Sequence, residues 1–160
     1  MYGIGILAFI LFLSTLIGLP VLPALSEELG ARATEIPIVV SAALATVVII
    51  QLFTGFLADR YSKRALILTG ALVGSISSLL CIVATDWMQL VILRVAGGIA
   101  DAIAMPALLV MTASLAKDQP GKFFGILRGS QGLSFAVGPA LGSMLSLISL
   151  RSPFVADGVL

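Results

Sequence analysis

Five long apolar runs constrain this chain more than any other feature of its sequence. A helix needs about 20 mostly apolar residues to cross the hydrocarbon core of a bilayer. The runs occupy residues 2–22, 36–57, 65–85, 87–115 and 123–150, and a sixth begins at residue 153 and reaches residue 160, where the sequence ends. The sequence therefore predicts an all-α membrane protein with five transmembrane helices and the start of a sixth. Since eight residues cannot cross a bilayer, we expect the chain to be incomplete.

The composition agrees with a location in the bilayer and argues against several other classes of protein. Apolar residues make up 59% of the chain and charged residues 11%, whereas a soluble domain carries about 25% charge. A net charge of +1 gives no reason to expect nucleic acid as a partner. The sequence has no histidine, a single cysteine, no paired nucleophile and base, and no phosphate-binding loop. We therefore expect no catalytic site, no metal and no cofactor.

The charges of the loops predict an orientation. The loop between the first two runs is mostly acidic, with Glu27, Glu28, Glu35 and one base, Arg32, whereas the loops at 59–64 and 117–122 are mostly basic. Basic loops are retained in the cytoplasm. The N-terminus is therefore predicted to be cytoplasmic, and the expected location is the cell membrane.

The second loop and the turn before it carry a motif. Residues 55–64 read Gly-Phe-Leu-Ala-Asp-Arg-Tyr-Ser-Lys-Arg. The segment resembles the signature loop between spans 2 and 3 of the major facilitator superfamily, a family of secondary transporters. The matching residues are Gly55, Leu57, Ala58, Asp59, Arg60, Lys63 and Arg64, and Ser62 stands where the family usually has glycine. The resemblance implies an N-terminal six-helix bundle, with a second half missing.

The same resemblance implies a gate at the cytoplasmic end. In the family, the aspartate at the position of Asp59 meets the N-terminus of a helix in the opposite half, where the helix dipole is positive. The basic residues Arg60, Lys63 and Arg64 would pair with nearby acids and keep this end closed in the outward-facing state. The alternative is that the loop determines topology only.

The fifth run contains small residues at every fourth position, which allow close helix packing. They are Ser130, Ser134, Gly138, Gly142 and Ser146, preceded by the pair Gly125 and Gly129. Gly138, Pro139 and Gly142, with Gly125, resemble the family's antiporter signature, which implies a kinked helix. Residues 13–23, at the end of the first run, resemble a pattern of the twelve-span drug:proton antiporter branch.

Two charges lie inside the fourth run. Arg94 is predicted about 10 Å deep and Asp101 near the bilayer centre. Seven residues are close to two helical turns, so both should face one cavity, together with Gly97 and Gly98. Residues 93–102 resemble the family's fourth-span motif, whose arginine is linked to proton transfer. Asp101, where the family has a small residue, is predicted to couple transport to protons, to act as a fixed counter-ion or to contact substrate.

Other polar residues are weaker candidates. Gln51 shares a face with Gly55 and either packs between helices or lines the cavity. Ser14 and Thr15 are expected to hydrogen-bond to their own helix. Asp157 would lie one turn into the sixth span, and the sequence assigns it no role.

Taken with the resemblance, these patterns predict a proton-coupled secondary transporter that exports drugs or small metabolites by alternating access. Its expected partners are the lipid bilayer, a small-molecule substrate, protons and a C-terminal half. The alternative is an incomplete half that does not transport, or a membrane module that acts by assembly.

Overall fold

A computed structural model describes residues 2–115 and 119–160, apart from the side chains of Tyr2 and of residues 55–59. Within these residues the chain forms seven α-helices and no β-strand. The helices are α1 (Tyr2–Ile17), α2 (Leu22–Glu28), α3 (Ile36–Arg60), α4 (Lys63–Cys81), α5 (Trp87–Leu115), α6 (Pro120–Ser146) and α7 (Ser152–Val159). The predicted all-helical bundle is confirmed. The gate residues Gly55 and Asp59 lie outside the described side chains.

The first span is longer than the sequence indicated. A 3-10 turn at Leu19–Val21 joins α1 to α2, and the apolar segment extends over Gly3–Glu28. α2 ends where Gly30 adopts a φ of 86°, and the N–H of Ala31 donates to the carbonyl of Ser26 at 2.9 Å. This is a Schellman end, which favours glycine because the left-handed backbone disfavours a Cβ. Two acids assigned to the first loop are therefore helical.

In the described part of the chain, four helices are long and apolar enough to cross a membrane. They are Gly3–Glu28, Ile36–Thr54, Lys63–Cys81 and Trp87–Leu115. α6, the predicted fifth span, has 27 residues and is about 40 Å long at 1.5 Å per residue. It is less apolar because it carries Lys122, Arg128 and several serines and glycines.

The long helices form two groups. In the first group α5 packs between α3 and α4, and in the second α6 packs along α1. The short helix α7 contacts α4, α1 and α6 and so joins the two groups. Its Phe154 is fully buried, and its ring lies close to Gly18 in the turn after α1.

Two apolar clusters occupy opposite ends of the bundle. The cluster at the predicted outer end joins α2, α3, α4, α5 and α7 and contains Leu22, Leu25, Leu29, Val39, Cys81, Ala84, Leu90 and Phe154. The cluster at the predicted cytoplasmic end joins α1, α4, α5 and α6 and contains Ala8, Leu66, Ile67, Ala107, Leu108 and Leu127. Ser14, Ser78, Asp101 and Asp157 lie between these clusters along the helices.

Candidate functional site

A small polar cavity lies between the two apolar clusters. Its volume is about 40 Å³. Hydroxyl groups from α1 and α4 and charged groups from α5 and α7 line it, together with two glycines: Ser14, Thr15, Gly74, Ser78, Arg94, Gly97, Asp101 and Asp157. The structure therefore brings Arg94 and Asp101 to one cavity and adds an acid to which the sequence assigned no role.

Asp101 lies at the midpoint of α5 and faces α1. The hydroxyl of Thr15 is 3.1 Å from Oδ1 of Asp101 and also 3.1 Å from the carbonyl of Leu11, one turn earlier in α1. The single hydroxyl proton of Thr15 is thus shared between the carbonyl oxygen of Leu11 and Oδ1 of Asp101. The expectation that Thr15 bonds to its own helix was correct but incomplete, because the hydroxyl also links α1 to α5.

Asp157 is the second carboxylate of the cavity. Its side chain is buried, and it accepts hydrogen bonds from the hydroxyls of Ser14 on α1 and Ser78 on α4. These bonds join α7 to both helices. The expectation that Ser14 bonds to its own helix was wrong, because its hydroxyl donates to Asp157. A Cβ on the neighbouring Gly158 would lie 2.5 Å from Cγ of Leu79, so α7 and α4 approach closely.

Arg94 supplies the positive charge of the cavity. Its Nε is buried and has no hydrogen-bond partner among the described residues. Among the described residues, Arg94 forms no ion pair with Asp101 or Asp157, whereas Arg151 pairs with Glu28. A buried, unpartnered guanidinium nitrogen usually indicates an unseen water or ion.

Two other predicted cavity residues lie elsewhere. Gly98 faces α3, since a Cβ there would lie 2.5 Å from the carbonyl oxygen of Ala43. It permits close packing of α5 and α3 and does not line the polar cavity. Gln51 is on an exposed face of α3 and also lies outside the cavity. The seven-residue spacing of Arg94 and Asp101 correctly predicted the face of α5 that lines the cavity. It did not predict that Gly97 lines the cavity whereas Gly98 packs against α3.

The predicted small-residue ladder of α6 forms a tight contact with α1. A Cβ on Gly138 would lie 2.9 Å from Cβ of Leu16, and a Cβ on Gly142 would overlap the carbonyl oxygen of Ile17. Ser134 is fully buried and donates to the carbonyl of Phe9 at 3.0 Å. The helix continues through Pro139.

The predicted pair Gly125 and Gly129 does not take part in this packing. A Cβ on either glycine would meet no described atom within 4 Å. These two glycines therefore face away from α1, which contacts this part of α6 through Ile126 and Ser130 instead.

The loop between α3 and α4 is a short turn. Ser62 caps α4, because its hydroxyl accepts the N–H of Ala65 at 3.2 Å. A serine at this position therefore has a local role that the family's usual glycine does not offer. Lys63 and Arg64 follow in the first turn of α4.

A larger cavity lies at the predicted cytoplasmic end but has a different character. It is an open groove of about 550 Å³ between the first turns of α1, α4 and α6 and the end of α5. Among the described residues, Arg64 is its only charged lining residue, and the others are apolar or glycine. The small polar cavity is the better candidate site because it gathers described charged groups from two helices, α5 and α7.

Comparisons with known proteins agree with the sequence resemblance. The sequence profile of the Major Facilitator Superfamily matches residues 4–160. Quinolone resistance protein NorA of Staphylococcus aureus is 30% identical over 153 residues, which cover 95% of this chain and 39% of NorA. Multidrug resistance protein 1 of Bacillus subtilis is 30% identical over 148 residues, which cover 91% of this chain and 38% of that protein. The chain thus spans about two fifths of these relatives' length.

Proposed function

The chain belongs to the Major Facilitator Superfamily, and from this premise we propose that it is the N-terminal half of a proton-coupled exporter of drugs or small metabolites. The observation that carries the proposal is the polar cavity with Arg94, Asp101 and Asp157 inside the bundle. One ionisable group at the bilayer centre costs about 2.5–3.5 kcal/mol on insertion scales, and such groups mark ion and substrate pathways. The family and the drug-resistance relatives support a transporter rather than an enzyme.

Asp101 is the proposed proton-coupling residue. It lies at the midpoint of a spanning helix and accepts one hydrogen bond from Thr15. Within the described chain it has no direct ion pair with Arg94, which argues against a fixed counter-ion. A carboxylate without a bound cation is free to take up and release a proton.

Export of drugs is supported by the names of the relatives, which refer to resistance against quinolones and against multiple drugs. Their substrates are bound by whole transporters, of which this chain corresponds to about two fifths. Transport would then proceed by alternating access, in which two halves rock about a site near the midplane.

The gate is proposed at the turn between α3 and α4, with Asp59, Arg60, Lys63 and Arg64. The position of Lys63 and Arg64 supports this proposal. Both bases stand at the N-terminus of α4, where the helix dipole is also positive and a cation is disfavoured. Acidic groups from a second half would relieve this repulsion when the cytoplasmic end closes.

If the turn acts as a gate, Asp59→Asn in the whole transporter should abolish most transport. The amount of protein in the membrane should stay the same. Expression is followed by immunoblotting of membranes and transport by dye efflux. Asp86→Asn is the matched control, because Asp86 lies in an exposed turn at the start of α5. Normal transport by the Asp59 variant would reject the gate and leave the loop as a determinant of topology.

We also propose an orientation for the chain in the membrane and a location for it in the cell. The basic turn at residues 60–64 supports a cytoplasmic N-terminus under the positive-inside rule. The proposed location is the cell membrane, where an exporter would act.

A non-transporting half that acts by assembly is the second candidate. The observation that favours it is the open surface of α3, where Val48, Leu52 and Phe53 are 65–80% exposed. In a membrane this surface would contact lipid or a second bundle. The coverage of about two fifths of the relatives is compatible with both candidates.

The proposal is tested by proton-driven efflux of a fluorescent cationic dye from cells and uptake into everted vesicles. The 160-residue chain is compared with any longer reading frame that contains it. We expect transport by the longer form alone, abolished by an uncoupler that collapses the proton gradient. Transport that survives the uncoupler would reject proton coupling, and no transport by either form would reject drug export.

A further inference from the structure

Asp157 is a buried acid of the candidate site to which the proposed function gives no role of its own. Both of its carboxylate oxygens are occupied, one by the hydroxyl of Ser14 and the other by that of Ser78. It lines the same cavity as Asp101 and Arg94. A purely structural acid would not need to share a cavity with a second carboxylate, because like charges in a low-dielectric interior repel each other.

The charges around this cavity do not balance. Among the described residues, α5 contributes Arg94 and Asp101 to the lining, and α7 contributes Asp157. α1 and α4 contribute hydroxyls and a glycine, and α6 contributes nothing. With all three groups ionised, the cavity holds two negative charges and one positive charge. One negative charge is therefore uncompensated inside the bundle, where isolated charge is strongly disfavoured.

The contacts of the two acids favour a proton as the cation that compensates this charge. The cavity of about 40 Å³ exceeds the roughly 10–15 Å³ that one water needs. Three hydroxyls already donate to the two carboxylates, so a metal ion bound at those oxygens would have to displace them. A proton adds no volume, and one water can accept the unpartnered N–H of Arg94 and link it to the acids.

We propose that Asp157 and Asp101 share one proton across the polar cavity, so that Asp157 is a second proton-binding carboxylate. The proton comes from water, forms an O–H bond with one carboxylate oxygen, and returns to water on release. No other bond changes. The contribution of this proton to transport rests on the proposed function, but its binding does not.

Proton binding at Asp157 would also change the hydrogen bonds that hold α7. An ionised carboxylate accepts from both serines, whereas a protonated oxygen becomes a donor. One of the two hydrogen bonds therefore reverses its direction: the acid O–H donates to a serine hydroxyl, which then donates its own proton elsewhere. Proton uptake thereby changes one of the hydrogen bonds that link α7 to α1 and α4.

The shared proton is tested by infrared titration of the whole transporter in lipid nanodiscs. The signal is the C=O stretching band of a protonated carboxylic acid. We expect Asp101→Asn and Asp157→Asn each to remove the same band, because the remaining acid and Arg94 then form a neutral pair. Asp86→Asn should retain the band. Retention of an unchanged band in either cavity variant would overturn the proposal, since it would mean that the other acid binds its proton alone.

A second variant keeps the proposal testable if Asp157→Asn does not fold. Asp157→Glu retains the carboxyl group but has a different vibrational environment, so the band should shift in frequency. An unshifted band would assign the proton to Asp101 alone and overturn the proposal. A band that responds to sodium at constant pH would replace the proton with a metal ion.

The infrared result is independent of transport. A shifted band in a protein that does not move dye would support the shared proton and reject the proposed function. Dye transport together with a band that neither substitution of Asp157 changes would support the proposed function and overturn the shared proton.

Discussion

α1 contacts its neighbours in two different ways, on two faces formed by successive residues. Toward α6, Leu16 and Ile17 lie against glycines, with no space for a Cβ. Toward α5 and α7, Ser14 and Thr15 donate hydrogen bonds to carboxylates. The first contact depends on shape and the second on charge. A single turn of helix can therefore fix the distance to one neighbour and hold the ionisable groups of two others.

The largest expected effect of a single substitution is at the α6 contact. Gly142→Ala places a Cβ against the carbonyl oxygen of Ile17, which is part of a helix and cannot move aside easily. We expect a loss of about 1–3 kcal/mol, typical of overpacking. The measurement is thermal unfolding of the detergent-solubilised whole protein, and transport should fall in parallel.

Gly129→Ala is the matched control on the same helix. A Cβ at this position meets no described atom within 4 Å, and alanine is the better helix former. Its stability should be unchanged or slightly raised. Equal destabilisation by both variants would mean that the effect belongs to glycine in general and not to the contact with α1.

The next effect concerns the charged face. Asp101→Asn keeps the shape of the side chain but removes its ability to bind and release a proton. Proton-driven efflux should fall at least tenfold, equivalent to about 1.4 kcal/mol, with little change in unfolding temperature. Efflux is measured across a series of imposed pH gradients. An unchanged dependence on the gradient would assign Asp101 to structure or to substrate contact.

A smaller effect is expected from the hydroxyl that holds Asp101. Thr15→Val removes the hydrogen bond at 3.1 Å while retaining nearly the same volume. Hydrogen bonds between transmembrane helices are worth about 0.6 kcal/mol on average, so unfolding should shift by a similar amount. Thr69→Val is the control, because Thr69 bonds to the carbonyl of Leu66 in its own helix. A larger effect at Thr69 would contradict the importance of the link between α1 and α5.

The smallest effect is expected outside the bundle core. Glu28 and Arg151 form a half-exposed ion pair at 3.6 Å, and such pairs contribute about 0–1 kcal/mol. Glu28→Gln should change stability by about 0.5 kcal/mol or less, since Arg151 also donates to the carbonyl of Ile82 at 2.9 Å. Unfolding at low and high salt checks this value. A shift as large as that of Gly142→Ala would contradict the contrast between surface and core.

The two faces of α1 were not equally predictable from the sequence. Gly138 and Gly142 could be identified because close packing requires small residues at a fixed spacing, and that spacing can be read in one helix. The lack of contact at Gly125 and Gly129 could not be identified, because these glycines have the same spacing but lie on a face of α6 that does not meet α1. Pattern alone specifies a surface that can pack, and the bundle determines how much of it does.

The partners of the polar residues were beyond the reach of local pattern. Asp101 was identified by its depth in an apolar run, which is a property of the sequence itself. Ser14 and Thr15 were assigned to their own helix, yet their carboxylate partners lie 143 and 86 residues away. Asp157 was assigned no role because its depth depends on how α7 packs. A hydroxyl has local and distant acceptors available, and only the tertiary arrangement decides between them.

The contact at Gly142 also limits how this region can change in evolution. Every other amino acid carries a Cβ, and at this position that atom would overlap the backbone of α1. Any accepted substitution must therefore be accompanied by a displacement of the whole helix, which would also move Ser14 and Thr15. Sequence variation is consequently expected on the open faces of the bundle, while the residues of the α1–α6 contact change very slowly.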